Sequence, residues 1–322
     1  MTFKCIVIGL GQIGMGYDLE LDAETVVYTH ARALSMHPEF ELVGAVEPQN
    51  FQREIFKRYY CQNVYPDITT ALKHQEVSVV VIATPTADHI LSIREVLANS
   101  RPKIILCEKP LAYDLTEARE IVNICKEAGV QLFVNYVRRA DIGAIEIKNR
   151  IENGSILQPI KGVAWYSKGF LHNGSHLFDL LEFWLGAYLK ARKINEGRSW
   201  NNSDPEPDVL VEFKRGEVVF MASREEFFSH YTIELLSPSG RLYYGSAGEL
   251  ITWQSVHQDP KIASYKTLDS NVEILKNDMN RYQLNVVEQL FNALVNRPHS
   301  LSTGMQALQI LESMHEIINQ RI

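Results

Sequence analysis

Three glycines stand close together near the start of the chain, directly after an apolar run from Phe3 to Ile8. Gly9 permits a tight turn, Gly11 lets backbone N–H groups approach a pyrophosphate, and Gly14 allows a helix to pack closely on a strand. This order is typical of a dinucleotide-binding fold with the phosphates at a helix N-terminus, so it predicts NAD(P) binding. A strand-to-helix turn that binds nothing would use the same glycines, and this alternative stays open. The predicted cofactor loop also includes Gln12 and Ile13.

Glu47 closes the second apolar run, Phe40 to Val46, where a carboxylate can accept hydrogen bonds from an adenosine ribose. It lies farther beyond the glycines than the usual spacing of about 20 residues, because an acidic segment from Tyr17 to Tyr28 is inserted. Its negative charge disfavours a 2′-phosphate, and the next cation is Arg53, so NAD is predicted in preference to NADP. The alternative is an ordinary solvated acid at a strand end.

Lys109 is the leading candidate for a group that acts on the substrate. It stands in CEKPLA, between Glu108 and Pro110, at the end of another apolar run. A lysine in a partly desolvated cleft can hydrogen-bond a substrate hydroxyl and stabilise the alkoxide that forms as hydride leaves. Pro110 restricts Lys109 to an extended conformation, which aims its side chain. Glu108 and Lys109 are also predicted to border the cofactor, and a solvated surface lysine is the alternative.

The segment KGFLHNGSHLFDLLEFWLG, from Lys168 to Gly186, carries two histidines. His176 begins an amphipathic helical run, in which Asp179 follows on the same face. An imidazole can pass a proton to or from a reacting hydroxyl near neutral pH, so His176 is the predicted proton donor or acceptor. His172 and His176 lack a convincing third zinc ligand, so no metal is predicted. A hydrogen-bonded, non-catalytic His176 is the alternative.

The stretch ATPTADH lies where the third strand meets its helix. Ligands of an open parallel sheet collect at the carboxyl ends of its strands, so this stretch is predicted to border the cofactor. Helix-start signals explain Thr86 and Asp88 equally well, which leaves a purely structural role open. The predicted cofactor contacts here are Ala83, Thr84, Pro85 and His89.

Apolar strand-like runs alternate with helix-like segments up to about residue 135, and these elements would position the candidate residues. Nearly continuous apolar strands separated by helices predict an α/β fold with a doubly wound parallel sheet of the Rossmann type, assigned to residues 1–135. The predicted strands are Phe3–Ile8, Phe40–Glu47, Val77–Ala83, Lys103–Glu108 and Val130–Tyr136, and the predicted helices lie near 30–37, 51–60, 86–98 and 114–128.

Beyond about residue 150, strand-like runs follow one another with short turns and no crossover helices. They predict an antiparallel sheet in a second, α+β domain, assigned to residues 136–322. The polar segment Asn195–Asp208 is predicted to be a long loop, and helices near 278–296 and 303–320 are predicted to close the chain. The predicted strands are Ile160–Ser167, Val209–Phe213, Glu217–Ala222, Tyr231–Leu236, Arg241–Tyr244 and Glu249–Trp253.

The composition, 46% hydrophobic over 322 residues, suits a soluble protein of about two domains. A net charge of −7 with dispersed Lys and Arg offers no basic field for nucleic acid or an anionic membrane, so a small molecule is the expected partner. No apolar stretch resembles a signal peptide or a membrane span, and the four cysteines form no CxxC pair. A cytoplasmic location is therefore expected.

Six short stretches occur in an order that resembles the Gfo/Idh/MocA family of oxidoreductases: GLGQIG, AVEP, ATPTADH, CEKPLA, VNYVRR and NGSHLFDLL. The resemblance runs over nearly the whole chain. It implies an N-terminal Rossmann domain, a C-terminal domain with a large open, mostly antiparallel sheet, and homo-dimers or homo-tetramers. It also implies NAD(P)-dependent dehydrogenase or reductase chemistry on CH–OH groups of sugars or polyols. Lys109 and His176 match the positions of the family's active-site lysine and histidine.

The chain departs from this pattern four residues before the active-site histidine, where many members have an aspartate and this chain has His172. His172 is therefore the expected replacement for that aspartate in proton transfer. The HNGSH form resembles members associated with surface-polysaccharide or nucleotide-sugar metabolism, in which the asparagine, here Asn173, contacts sugar hydroxyls. Asp179 is a further expected substrate contact, and Tyr166 is expected either to wall the pocket or to lie in the core.

The predicted reaction is reversible hydride transfer between C4 of a nicotinamide and a secondary alcohol carbon of a sugar, polyol or nucleotide-sugar. Two alternatives stay open. One is an NAD-binding sensor that has the fold without the catalysis. The other is a redox-assisted glycosidase, in which NAD is reduced and reoxidised within one turnover.

Overall fold

The computed structural model describes residues 2–321, which form two compact units. Among the described residues, the first unit comprises residues 2–140 together with residues 280–309. The second comprises residues 141–279 and 310–321. The assignment of residues 136–322 to one domain therefore differs from the structure over residues 136–140 and 280–309.

Seven strands form the sheet of the first unit: β1 (Phe3–Ile8), β2 (Phe40–Val46), β3 (Val64–Tyr65), β4 (Val79–Ile82), β5 (Ile104–Cys107), β6 (Gln131–Val134) and β18 (Ser302–Thr303). Their order is β18-β6-β5-β4-β1-β2-β3, and every neighbouring pair is parallel except β18 and β6. The predicted Rossmann-type parallel sheet is confirmed. The short strand β3 was not predicted, because two residues carry no readable periodicity.

Polar side chains fix where several helices of this unit begin. Thr29 accepts a hydrogen bond from the Arg32 backbone at the start of α1, and Asp67 and Asp114 cap α3 and α5 in the same way. The helices are α1 (His30–Met36), α2 (Asn50–Tyr59), α3 (Ile68–His74), α4 (His89–Asn99), α5 (Leu115–Glu127) and α8 (Tyr282–Leu294), and α9 (Gly304–Asn319) begins here and ends in the second unit.

Residues 280–309 join the first unit for two reasons. Helix α8 buries an apolar face in the core of this unit, and β18 pairs with the edge strand β6. The face consists of Val286, Val287, Leu290 and Ala293. Sequence periodicity predicted the helix, but periodicity does not show which core an apolar face joins.

The second unit contains a nine-stranded sheet in the order β16-β15-β14-β13-β7-β12-β11-β8, with β17 paired to β15. Among the described strands of this sheet, only β7 and β12 are parallel neighbours, so the predicted mostly antiparallel sheet is confirmed. The strands are β7 (Ile160–Tyr166), β8 (Tyr188–Asn195), β11 (Asp208–Phe213), β12 (Gly216–Ala222), β13 (Thr232–Ser237), β14 (Gly240–Gly245), β15 (Leu250–Gln258), β16 (Lys266–Leu268) and β17 (Glu273–Leu275).

Two helices, α6 (Ile142–Glu152) and α7 (Ser175–Leu185), supply part of the core of this unit. Trp184 of α7 is fully buried, and its indole Nε1 donates a hydrogen bond to the Ala144 carbonyl at 2.9 Å. The predicted loop Asn195–Asp208 contains a small antiparallel hairpin of β9 (Ser199–Trp200) and β10 (Asp204–Pro205). Within residues 2–321, no helix combines the length and apolar character that a membrane crossing needs.

Candidate active site

The turn that follows β1 has the geometry of a phosphate-binding loop. Gly9 has a φ of +95°, and a Cβ there would lie 2.7 Å from the carbonyl carbon of Ala83, so the position requires glycine. A Cβ on Gly14 would overlap the Gly9 carbonyl oxygen. A Cβ on Gly11, by contrast, would meet no heavy atom within 4 Å among residues 2–321. The open space beside Gly11 fits the pyrophosphate of a dinucleotide. Of the two intervening residues, Gln12 is exposed and Ile13 packs against the core.

Replacing Gly11 by alanine is expected to raise the dissociation constant for NAD by about tenfold or more, equivalent to ~1.4 kcal/mol. The added methyl group would occupy the space for the phosphates while touching no described protein atom, so thermal stability should change little. Isothermal titration with NAD and thermal unfolding measure the two effects. Gly9→Ala should instead lower stability, because its methyl group would overlap the backbone at Ala83. Unchanged NAD affinity in the Gly11→Ala variant would contradict a phosphate site at this turn.

Glu47 is 8% exposed and is held against the glycine turn. Its Oε2 accepts a hydrogen bond from the Leu10 backbone at 3.0 Å, and its Oε1 accepts one from the Gln49 backbone at 2.9 Å. It is therefore not an ordinary solvated acid. The structure also brings Arg53 to the turn that follows β2, where its guanidinium donates to the Glu47 and Pro48 carbonyl oxygens at 2.8 and 2.6 Å.

Substituting Glu47 by serine is expected to lower the ratio of the NADP dissociation constant to the NAD dissociation constant by about tenfold, which means relatively tighter binding of NADP. The change removes a negative charge that would repel a 2′-phosphate, while the Arg53 guanidinium stays at the same turn. Isothermal titration of both cofactors measures the ratio, and Glu47→Gln separates loss of charge from loss of the side chain. An unchanged ratio would show that Glu47 does not select the cofactor.

The ATPTADH stretch follows β4, beside the glycine turn. The Thr84 hydroxyl oxygen is buried and has no hydrogen-bond partner among residues 2–321, as expected of a group whose partner is a ligand. His89 is 1% exposed, and its two ring nitrogens lie 3.1 Å from the Thr84 and Leu111 carbonyl oxygens. Burial lowers the pKa of His89 below its ordinary value. His89 thus connects the segment that carries Thr84 with the segment that carries Lys109. Of the other predicted cofactor contacts in this stretch, Ala83 is buried and Pro85 is exposed.

Lys109 follows β5 at the carboxyl edge of the parallel sheet, and its peptide bond to Pro110 is cis. The residue is half-buried, unlike a fully solvated surface lysine. Glu108, directly before it, accepts hydrogen bonds at Oε1 from His30 Nε2 at 2.7 Å and from Asn135 Nδ2 at 2.6 Å. Burial by itself raises the pKa of the Glu108 carboxyl, but these hydrogen bonds and the Lys109 charge bring the pKa below its usual value. Glu108 is therefore a carboxylate at neutral pH.

In the second unit, the histidine segment begins with a wide helical turn, Gly169–Gly174, that leads into α7. The Asp204 carboxylate accepts hydrogen bonds from backbone N–H groups of this turn, including that of His172 at 2.8 Å. Glu206 accepts one from the Gly169 backbone at 3.0 Å. Both acids are buried and satisfy N–H groups at the start of the helical segment. Neither acid was predicted from the sequence, although the acids of the polar segment Asn195–Asp208 could have indicated such caps.

The two histidines have different surroundings. The His172 ring is half-buried and stacks on Trp200, with ring centroids 5.1 Å apart and planes inclined by 23°. His176 lies in the first turn of α7 and is 8% exposed. Its ring meets the Tyr231 ring edge-on, with the ring centroids 6.5 Å apart. Asp179 follows one turn later on the same helix and is 1% exposed, whereas Asn173 is half-buried in the preceding turn.

Tyr166 lies in the core of the second unit. Its side chain is fully buried, and its hydroxyl donates a hydrogen bond to the Pro207 carbonyl at 2.7 Å. This placement agrees with the core alternative and gives no support to Tyr166 as a wall of the substrate pocket. The strand pattern shows that alternate residues of β7 share a face, but it does not show which face is covered.

Within residues 2–321, no three His, Cys, Asp or Glu side chains come together as metal ligands. The four cysteines are free thiols: Cys5, Cys107 and Cys125 are buried, and Cys61 is half-buried.

Known proteins are similar to this chain in sequence. Residues 3–136 match the sequence model GFO_IDH_MocA, described as an oxidoreductase family with an NAD-binding Rossmann fold. The chain is 28% identical to the scyllo-inositol 2-dehydrogenase (NAD(+)) of Bacillus subtilis, over 76% of this chain and 74% of that protein. It is 23% identical to the 2,7-anhydro-N-acetylneuraminate hydratase of Escherichia coli, over 70% of this chain and 65% of that protein.

Solved structures share the fold over the full chain. An NAD-binding oxidoreductase from Klebsiella pneumoniae has a TM-score of 0.78 at 17% identity, and the match covers 100% of this chain and 98% of that one. The WlbA dehydrogenase from Bordetella pertussis, in complex with NADH and UDP-GlcNAcA, has a TM-score of 0.73 at 17% identity with the same coverage. Both likenesses concern the fold.

Proposed function

We propose that this chain, whose residues 3–136 match the GFO_IDH_MocA family model, is an NAD-dependent oxidoreductase of that family and transfers hydride between NAD and a secondary alcohol or ketone of a sugar-like polyol. The observation that carries the proposal is the half-buried Lys109 at the carboxyl edge of the parallel sheet, directly after the hydrogen-bonded Glu108 carboxylate. Ligands of such sheets bind at this edge. When bound, NAD supplies the hydride acceptor or donor.

The cofactor is held by residues of the first unit. The glycine turn receives the phosphates, and the Glu47 carboxylate receives the adenosine ribose hydroxyls. Thr84 offers its buried hydroxyl, and Glu108 offers its carboxylate to the ribose next to the nicotinamide. These assignments fit the open space at Gly11 and the missing protein partner of Thr84 within residues 2–321.

Lys109 and His176 have different roles toward the substrate oxygen. The Lys109 ammonium donates a hydrogen bond to that oxygen and stabilises the negative charge that develops as the hydroxyl proton leaves. His176 accepts this proton during alcohol oxidation and returns it during ketone reduction. His172 stands where many family members have an aspartate and assists this proton transfer. Asn173 and Asp179 contact substrate hydroxyls.

The substrate class that we favour is a cyclic polyol of the inositol type. The relative that aligns with 76% of the chain is named as an inositol dehydrogenase, whereas the UDP-sugar appears with a structure that shares only the fold. A nucleotide-sugar is the second substrate class to test. We further propose a cytoplasmic homo-dimer or homo-tetramer, which native mass spectrometry of the purified protein tests.

A second candidate reaction has no net redox change. It is favoured by the relative named as a hydratase, since adding or removing water consumes no NAD. A redox-assisted glycosidase belongs to the same class. An NAD-binding sensor is disfavoured because the chain retains both Lys109 and His176.

In the test, the purified protein is incubated with NAD and a panel of scyllo-inositol, myo-inositol and UDP-sugars, and NADH formation is followed by absorbance at 340 nm. Steady growth of NADH with one panel member supports the dehydrogenase. Aryl glycosides are assayed in parallel, and phenol release without NADH growth would move the assignment to the redox-neutral reaction. NAD binding without turnover of any compound would favour the sensor.

A further inference from the structure

Four polar side chains close a hydrogen-bonded ring behind Lys109: Glu108 is half-buried, and His30, Asn135 and Gln283 are buried. His30 Nε2 lies 2.7 Å from Glu108 Oε1, and Asn135 Nδ2 donates to the same oxygen at 2.6 Å. Asn135 Nδ2 also donates to Gln283 Oε1 at 3.1 Å, and Gln283 Nε2 lies 2.8 Å from His30 Nδ1. We call these four residues the His30 ring. They come from the starts of α1 and α8 and from the ends of β5 and β6, all in the first unit.

One assignment of donors and acceptors satisfies all four contacts. Asn135 must present its amide nitrogen to the Glu108 carboxylate, so Gln283 must present its oxygen to Asn135. The Gln283 nitrogen then faces His30 Nδ1, which must accept, and His30 Nε2–H donates to Glu108. Donation then runs from Asn135 through Gln283 and His30 to Glu108, and Asn135 also donates to Glu108 directly. One carboxylate oxygen of Glu108 therefore accepts two hydrogen bonds. An imidazolium at His30 would leave at least one repulsive contact in the ring.

We propose that His30 is a positioning residue for the cofactor: through the His30 ring it fixes the Glu108 carboxylate as an acceptor for a ribose hydroxyl of NAD. The inference rests on the proposed function. Glu108 Oε1 is occupied by the two ring donors, whereas Oε2 accepts the Lys109 backbone N–H at 3.3 Å. The Glu108 side chain is 12% exposed, but that of His30 is 1% exposed. His30 therefore acts from behind Glu108 and not by touching the ligand.

The chain segment before His30 is hydrogen-bonded to the start of α8, which contains Gln283, and to the turn just before it. The Val27 backbone donates to the Asn280 carbonyl at 2.9 Å, and the Gln283 backbone donates to the Val27 carbonyl at 3.3 Å. Next to these bonds, the rings of Tyr28 and Tyr282 stack with centroids 5.1 Å apart and planes inclined by 13°. This double attachment limits the movement of His30, which a preorganised acceptor requires.

The test uses two substitutions at His30 and a matched control on the same helix. His30→Leu removes the donor to Glu108, whereas His30→Gln keeps an N–H group that can reach it. His37→Leu is the control, because His37 is also buried and stands at the other end of α1. Its Nε2 lies 3.0 Å from Oε2 of Glu288 on α8. The dissociation constant for NAD is measured by isothermal titration and stability by thermal unfolding. Steady-state kcat and KM with NAD are measured for any variant that turns over a panel polyol.

We expect His30→Leu to raise the dissociation constant for NAD by about tenfold and His30→Gln to restore it to within about threefold of the native value. We expect His37→Leu to lower stability comparably and to leave NAD affinity unchanged. Loss of stability without loss of NAD affinity in His30→Leu, or equal NAD affinities of the Leu and Gln variants, would overturn the positioning role. NAD affinity does not depend on turnover, so failure of the proposed reaction would appear separately, as absent NADH growth with normal NAD binding.

Discussion

Replacing Lys109 by alanine is expected to lower kcat by about a hundredfold to a thousandfold and to change NAD affinity by less than about threefold. The ammonium group donates to the substrate oxygen as negative charge develops there, and alanine offers no donor. The half-buried position of Lys109 strengthens this interaction, because charges attract more strongly where water is partly excluded. Steady-state kinetics at 340 nm and isothermal titration with NAD measure the two quantities.

Lys103→Ala is the matched control for this experiment. Lys103 is an exposed lysine just before β5, at the opposite end of that strand from Lys109, and its removal should leave kcat unchanged. A kcat in Lys109→Ala equal to that of the native protein would eliminate the assigned role. A fall in NAD affinity as large as the fall in kcat would show that Lys109 acts on the cofactor and not on the substrate oxygen.

Replacing His176 by alanine is expected to lower kcat by about a hundredfold, the size typical for loss of a general acid–base group. The substituted enzyme has no group at the first turn of α7 to accept the hydroxyl proton. Imidazole added to the buffer should restore part of the lost kcat, because a small base can enter the space that the side chain vacates. The assay is kcat as a function of imidazole concentration.

His230→Ala is the control in the second unit. His230 is half-buried and contacts the rings of Trp165 and Phe228 edge-on, so it lies beside aromatic rings, as His176 lies beside Tyr231, and has no assigned role in proton transfer. Its removal should not change kcat. Full activity of His176→Ala would contradict the proton-transfer role, and a loss that imidazole does not reverse would favour a structural role instead.

The parts of the site that the sequence predicted are those encoded within a few neighbouring residues. The glycine turn, Glu47 after β2, and Lys109 after β5 each follow an apolar run, so strand ends could be located directly. In a parallel sheet, strand ends meet at one edge, which is why these residues could be assigned together before the fold was known.

The His30 ring could not be predicted in the same way. Its members are far apart in sequence, and nothing in their local patterns indicates that an amide of α8 meets an imidazole of α1. Asp204 was likewise missed as a support of the His172 turn, because its segment was expected to be a loop. Tyr166 shows the related limit: alternation in a strand gives its two faces but not the one that is covered.

Transfer of deuterium from a C–D bond of the substrate into NADH tests net hydride transfer most directly. The purified protein is incubated with NAD and a ring-deuterated inositol, or with whichever panel polyol reacts in the same deuterated form, and the nicotinamide product is analysed by mass spectrometry. We predict NADH about one mass unit heavier than the unlabelled compound, formed in proportion to the ketone product and formed at least about a hundredfold more slowly by Lys109→Ala. Conversion of a substrate by water addition or phenol release, with NAD recovered unreduced, would contradict the dehydrogenase.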